Sequence, residues 1–325
     1  MTFNRRDLFR LLGIGGATGA AGTVGFLGGQ QGAENRGQAE EHSSGSVYGG
    51  NFTPPSGLGP RALDDLLIPP PAPTGTASKD VKIIDFKVIE QSLEIADGTF
   101  IDTWTYEGHA PGPVIRVVEG QELEVRLHNT AAHPHNIHFH GRHNIASDGW
   151  QPVAPGKTSV QKFSATPFGL YPYHCHVPPI SEHVARGMYG VMIVDPPEAR
   201  PPAQEFVLTL GAWSGPEGPV FAWNGIAGFF ARFPIKVTAG QPVRIYLSNL
   251  VMTEPMASFH LHGEMFNIIR GGMGMVPVET SDVIMLGPTE RAIIEFTLPE
   301  RGRYMFHPHH IGMAERGAMG WFAAV

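Results

Sequence analysis

Cys175 is the only cysteine of the chain. It stands between two histidines in Tyr171-Pro-Tyr-His-Cys-His176, with His183 and Met188 close behind. Successive side chains of a β-strand point to opposite faces. On a strand, Cys175 therefore faces one way, and His174 and His176 face the other. A thiolate, two imidazoles and a weak axial thioether form a blue-copper electron-transfer site. Cys175, His183 and Met188 supply three of those four groups. The flanking histidines are left for a second site, joined to the first through the covalent chain.

Most of the 16 histidines are clustered. His133-Pro-His-Asn-Ile-His-Phe-His-Gly141 holds the pair His138/His140. Phe259-His-Leu-His-Gly263 holds His260/His262, and Phe306-His-Pro-His-His310 holds His307/His309. With His174/His176 these make four His-x-His pairs. Spacing of two on a strand aims both imidazoles at one face, so a pair can grip one metal or bridge two. His135 precedes His138 by three, an odd offset that turns it to the other face, where it can join Cys175, His183 and Met188. Eight histidines remain on the far side, and imidazole suits copper.

The motifs His-Pro-x-x-x-His-x-His-Gly, His-x-His-Gly and His-Cys-His…His…Gly-Met resemble the copper-binding motifs of multicopper oxidases. The match is to small, two-domain, laccase-like members with the blue copper in the first domain, and it spans roughly residues 80–325. The resemblance implies a type 1 copper on His135, Cys175, His183 and Met188. It also implies a trinuclear cluster on His138, His140, His174, His176, His260, His262, His307 and His309. In the family, the first histidine of each His-x-His-Gly binds the type 2 ion, here His138 and His260. The other six would hold the type 3 pair. The stoichiometry implied is about four coppers per chain. One loop departs from the pattern. Cys175-His-Val-Pro-Pro-Ile-Ser-Glu-His183 and the following Val-Ala-Arg-Gly-Met188 look more like copper nitrite reductases, which share the cupredoxin fold but lack the paired histidines.

His42, His109, His128, His133, His143 and His310 are expected to have no role as ligands, although His143 and His310 adjoin ligands and can orient them. Asp148, in Ser-Asp-Gly149, matches an acidic position that delivers protons in the family. It is the candidate catalytic residue. An Asp-Gly step also suits a tight turn, and both readings stay open.

These residues must be carried by a particular scaffold. A chain of 325 residues builds about two domains. Its 41 glycines and 29 prolines suit a turn-rich all-β protein. After residue 80 the sequence repeats. Val114-Ile-Arg-Val-Val-Glu-Gly-Gln121 aligns with Pro234-Ile-Lys-Val-Thr-Ala-Gly-Gln241, and Glu122–Asn129 aligns with Pro242–Asn249. Both copies alternate apolar and polar residues around a glycine turn, as half-buried strands do. Each copy then runs through His-x-His-Gly, a strand (157–163 or 291–298), an aromatic strand with the second pair, and a closing apolar segment. The expected fold is all-β, two tandem cupredoxin-like Greek-key sandwiches at 81–197 and 204–325. In the second copy Pro308 replaces Cys175 and Ala257 replaces His135, so only its cluster-facing histidines remain. Met319 is read there as a core residue.

Residues 1–45 are expected to be an export signal and linker. Arg5-Arg6 precedes an uncharged, Gly/Ala-rich stretch at 11–29, which resembles a twin-arginine signal and is a poor membrane anchor. The expected location is periplasmic or extracellular. Residues 46–80, with Pro69-Pro-Pro71, are read as an extended arm rather than core. The net charge of −7 argues against nucleic acid, and a lone cysteine excludes an intrachain disulfide.

The function expected is oxidation of a small-molecule or metal-ion reductant coupled to reduction of O₂ to water, with Cys175 linked through the backbone to His174 and His176. A copper nitrite reductase is the first alternative. A copper carrier or store is the second, encouraged by nine methionines between Met252 and Met319, although methionines also fill cores. A homotrimer is expected, because the short linker 195–204 favours pairing the first domain of one chain with the second domain of its neighbour.

Overall fold

The computed structural model describes residues 52–73 and 75–325. The twin-arginine segment, the stretch at 11–29 and His42 lie outside the described residues. Among the described residues, no helix is long and apolar enough to cross a membrane.

Two β-sandwiches follow one another. In the first, Thr99–Tyr106, Lys82–Ala96, Glu122–Asn129 and Thr158–Ser164 form one sheet, in that spatial order. Ile115–Val118, Tyr189–Asp195, Gly169–His174 and His138–Phe139 form the other. In the second, a six-stranded sheet built around Gln204–Gly215, Pro242–Asn249 and Arg291–Thr297 faces a five-stranded sheet. The latter holds Ile235–Val237, Gly320–Ala324, Gly302–His307, Ala257–Leu261 and Val283–Leu286. Short α-helices at Ile180–Ala185 and Ile311–Glu315 occupy matching loops.

The internal repeat reappears as register. Ile115 pairs in parallel with Met192, and Ile235 with Phe322. Glu122 lies opposite Ser164, and Pro242 opposite Thr297. Most important for the site, His138 lies opposite His174, and His260 opposite His307. Directly opposed residues put their side chains on the same sheet face at close range. Cross-strand pairing therefore brings each His-x-His-Gly pair onto the pair from the later aromatic strand.

Alternation supplies the cores. Leu123, Val125 and Leu127 face inward against Phe139, Phe163, Tyr171 and Tyr173 in the first sandwich. Val243, Ile245 and Leu247 face Phe259, Phe306 and Phe322 in the second. The two sandwiches share a small apolar seam of Leu170, Val191 and Ile193 against Val207, Tyr246, Ile269 and Ile293. Beside it, buried Arg116 makes a bidentate pair with Asp195 and also reaches Glu205 and the Pro70 carbonyl. Arg244 ties Glu205 to Glu295. This network of buried charges links the first sandwich, the Pro70 arm and the second sandwich.

The arm is not all arm. Leu67, on a short helix at Asp64–Leu67, and Leu63, at its N-cap, enter the core of the second sandwich. Leu63, Leu66 and Leu67 are spaced as one face of a short amphipathic helix, a signal overridden in the reading of 46–80 by its surrounding Pro and Gly, and all three pack on that core.

Candidate metal centres

The side of the strand that carries Cys175 comes first. The sequence reading put the whole His-Cys-His triplet on a strand, whereas the strand ends at His174. The alternation continues regardless, because Cys175 N–H still bonds the Met188 carbonyl at 3.0 Å. Cys175, His135 and His183 converge as one group able to hold a metal, and all three are buried. His183 Nδ1 lies 3.2 Å from Cys175 Sγ and 3.2 Å from His135 Nδ1. Met188 is fully buried in the same core cluster as Cys175, and its N–H bonds the His183 carbonyl. The helix Ile180–Ala185 carries His183 back over the cysteine.

Burial prepares these donors. Desolvation, and then the neighbouring His183, pushes His135 down to about 4. Desolvation also lowers His183, so both imidazoles offer lone pairs at neutral pH. The Cys175 thiol is pushed up to about 11 by burial, against the pull of the backbone N–H groups of Asn136, Val177 and His176. A metal arriving here must displace the thiol proton.

On the opposite side lie His138, His140, His174 and His176. The first three converge as a second metal-competent group, and the His176 ring lies 5.5 Å from His138. His140 Nε2 and His174 Nε2 meet at 3.1 Å. Two of the rings are oriented from behind. His138 Nδ1 donates to the Asp148 carbonyl at 3.0 Å and His174 Nδ1 to the Cys175 carbonyl at 2.9 Å. Donation from Nδ1 leaves Nε2 as the free ligand atom. Desolvation, then His174 and His138, drives His140 down to about 3, and burial takes His174 to about 4.

The second sandwich presents a third group, His260, His262 and His307, with the His309 ring 5.0 Å from His260. His262 Nε2 and His307 Nε2 meet at 3.0 Å. Among the described residues, no metal-competent group combines histidines from both sandwiches. Pro308 and Ala257 stand where the repeat predicted, and Ala257 is buried in the second core. Met319 is only partly buried.

Asp148 touches the first histidine face with both its carbonyl and its carboxylate. The Oδ1 atom lies 3.4 Å from His138 Nδ1 and 2.8 Å from His143 Nε2. A cavity of about 450 Å³ opens there, walled by His138, His140, His143 and Asp148. His143 thus orients Asp148, and His138, His143 and Asp148 themselves converge as a further metal-competent group. His128 bonds Asp85, away from the donor groups, whereas His133 bonds Glu90, whose carboxylate lies 3.8 Å from His135 Nε2.

Several participants gave no signal in the sequence. Asn136 accepts His176 N–H through Oδ1, donates to the Trp150 carbonyl, and receives Tyr106 Oη–H on its own carbonyl. Trp104 packs on both buried histidines of the cysteine side, 5.1 Å from the His135 ring and 4.6 Å from that of His183. It forms one wall of a cavity of about 770 Å³ with Glu90, His133, Pro178, Glu182 and His183. Glu90 and Trp104 are cross-strand partners on the first hairpin, more than 70 residues before Cys175, and local spacing cannot register such a contact.

Sequence models of the multicopper oxidase family match residues 87–199 and 201–325. The chain belongs to that family, as a two-domain member. It is 33% identical over 268 residues to a copper-containing nitrite reductase of Neisseria meningitidis, covering 73% of this chain and 68% of that one. Among solved structures it is similar to a multicopper oxidase, with a TM-score of 0.77 at 36% identity, covering 83% of this chain and 98% of that one. A copper nitrite reductase from Nitrosomonas europaea gives a TM-score of 0.68 at 26% identity, over 76% and 94% of the two chains. Family membership supports copper at these donors, and the donor chemistry fits it. A thiol with two Nδ1 donors suits a blue copper, and all-imidazole faces suit further copper ions.

Proposed function

We propose that this protein is an oxidase that couples one-electron oxidation of a reducing substrate, phenol-like or a metal ion, to four-electron reduction of O₂ to water. His135, Cys175, His183 and Met188 would hold a type 1 copper. His138, His140, His174, His176, His260, His262, His307 and His309 would hold a trinuclear cluster. Bound there, copper supplies one-electron transfer at the first site and O₂ reduction at the second. The chain's own part is to keep the rings of His135, His140, His174, His183, His262 and His307 neutral, to fix the tautomers of His138, His174, His260 and His307, and to join the two sites through the Cys175 backbone to His174 and His176. Asp148, held by His143 beside His138, is the proton-delivering group. The 770 Å³ cavity over His183 is where a small reductant would approach.

The observation that carries this reading is the second histidine face. An enzyme with a single non-blue copper has no use for eight paired histidines, four on each sandwich. Since no metal-competent group among the described residues spans both sandwiches, we further propose that faces from neighbouring chains meet head to tail and close a homotrimer. The twin arginines support export to the periplasm or beyond.

Copper nitrite reduction is the second reading, favoured by the names of the relatives and by the Pro-Pro loop before His183. Copper storage would need no defined stoichiometry. Copper analysis with O₂ electrode traces separates the three. The oxidase reading expects about four coppers per chain and O₂ uptake without nitrite. Nitrite reduction to nitric oxide with no oxidase activity would overturn it.

A further inference from the structure

We infer that Glu90 is a positioning residue for the blue-copper site, holding the remote nitrogen of His135 and thereby biasing the centre towards its oxidised form. The inference rests on the reading of His135, Cys175 and His183 as the copper donors.

The starting observation is an orphan. His135 is 0% exposed, and its Nε2 is a buried polar atom with no hydrogen-bond partner. Its Nδ1 is the nitrogen turned towards His183, which in turn meets the thiol. An imidazole that gives Nδ1 to a metal carries its proton on Nε2. That N–H then needs an acceptor, because buried donors without one are rare in native proteins. Glu90 Oε1 lies 3.8 Å from His135 Nε2. A shift of about 1 Å brings it into hydrogen-bond range.

Glu90 is suited to the task. It sits on the strand Lys82–Ala96, directly across from Trp104, whose indole already packs on both donor histidines. One hairpin thus delivers an aromatic cover and a carboxylate to the same place. Glu90 is anchored by His133 Nδ1 at 2.7 Å. Partial burial opposes its charge, but the bonds from His133 and the Ala132 backbone outweigh this and hold it below the usual carboxylate range. An anionic acceptor on the far nitrogen fixes the ring and makes it a more basic ligand. A more basic ligand favours Cu(II) over Cu(I). Glu90 also walls the cavity over His183, together with His133 and Trp104, so the same carboxylate faces an incoming reductant.

A merely structural Glu90 would anchor His133 and nothing else. Redox titration of the fully loaded protein, followed at the blue band, separates the two. Glu90→Gln keeps the shape and the bond to His133, and should leave the protein blue. It should shift the oxidised-to-reduced ratio about tenfold towards Cu(I), which is 59 mV for one electron, and weaken copper retention at this site about tenfold. Glu90→Asp keeps the charge but draws the carboxylate back, and should behave like Glu90→Gln. Asp102→Asn removes one charge from the same cavity wall without reaching a donor, and should shift the ratio less than about twofold, as expected for an exposed, screened charge. Equal shifts from Glu90→Gln and Asp102→Asn, or a Glu90→Asp protein titrating as wild type, would overturn the inference. A wild type without a blue band would instead sink the donor reading, and the inference with it.

Discussion

The two histidine faces are built alike almost bond for bond. His138 Nδ1 donates to the Asp148 carbonyl, and His260 Nδ1 to the Asp282 carbonyl. His174 Nδ1 bonds the carbonyl of Cys175, and His307 Nδ1 that of Pro308. His140 N–H finds Pro172, and His262 N–H finds Met305. The last histidine of each face is fixed by a side chain two residues before the first: Asn136 for His176, and Ser258 for His309. Behind the faces, the sandwiches part. The first keeps His135, Cys175, His183 and Met188; the second fills the same layer with Ala257, Met313 and Ala318. A four-histidine face therefore needs the sandwich and its backbone carbonyls, and does not need the cysteine site behind it.

The sharpest way to break that comparison is Cys175→Ser. It should abolish the blue band and reduce turnover to background, while copper bound by the eight histidines remains on metal analysis. The converse, Pro308→Cys, should leave the visible spectrum unchanged, because Ala257 and the packed core supply no imidazoles to a new thiolate. Blue colour in Pro308→Cys would show that the layers differ less than their packing indicates.

Next in size is the equivalence of the faces. His138→Ala and His260→Ala should each stop O₂ uptake and spare the blue band, since both rings point away from Cys175. Turnover surviving one of the two would mean that the faces are not halves of one centre.

The carboxylates should separate the faces again. Asp148 is gripped by His143 beside its face, whereas the Asp282 side chain is 53% exposed and its carboxylate stands 3.9 Å from His260. Asp148→Asn should slow O₂ turnover by about 10²-fold, within the range for a lost general acid, and more at high pH, where solvent protons are scarce. Asp282→Asn should cost only a few-fold. Unchanged pH–rate profiles in Asp148→Asn would reduce that residue to a turn.

The smallest effect is a proton count. With the thiol pushed up to about 11 and His135 down to about 4, the apo cysteine site at pH 7 holds one proton that copper must expel. Its apparent affinity should rise roughly tenfold per pH unit from pH 7 up to the range where the thiol itself ionises, since burial holds both His135 and His183 below the ordinary imidazole range. His140 and His174, already neutral, should release none. Calorimetric titration in buffers of different ionisation heat reads the difference between the two sides.

Much of this was legible in the sequence because strand periodicity is a local rule. Spacing of two put each pair on one face, and the odd offset sent His135 to the side of Cys175. The aligned glycine turns placed Ile235–Val237 and Pro242–Asn249 as counterparts of Ile115–Val118 and Glu122–Asn129, but not the extra strands of the second sandwich. Groups that reach the site across the fold were not legible. Trp104 and Glu90 arrive on a distant hairpin, and Asn136 and Ser258 act through register. Asp282 lacks the following glycine that drew attention to Asp148. Leu63, Leu66 and Leu67 carried a helical spacing of one apolar face, but over too few residues to stand out from the Pro/Gly-rich arm around them.

The central claim is that the two faces form one centre, contributed by different copies of the chain. Mixing tests it most directly. His140→Ala disables the first face and His262→Ala the second, so each variant alone should be inactive. Unfolded together and reassembled with copper, random trimers should place an intact first face against an intact second face at about a quarter of their interfaces. O₂ uptake should return to about that fraction of wild type. A reassembled mixture that stays inactive while wild type treated the same way recovers, or a fully active wild-type monomer by light scattering, would contradict the account.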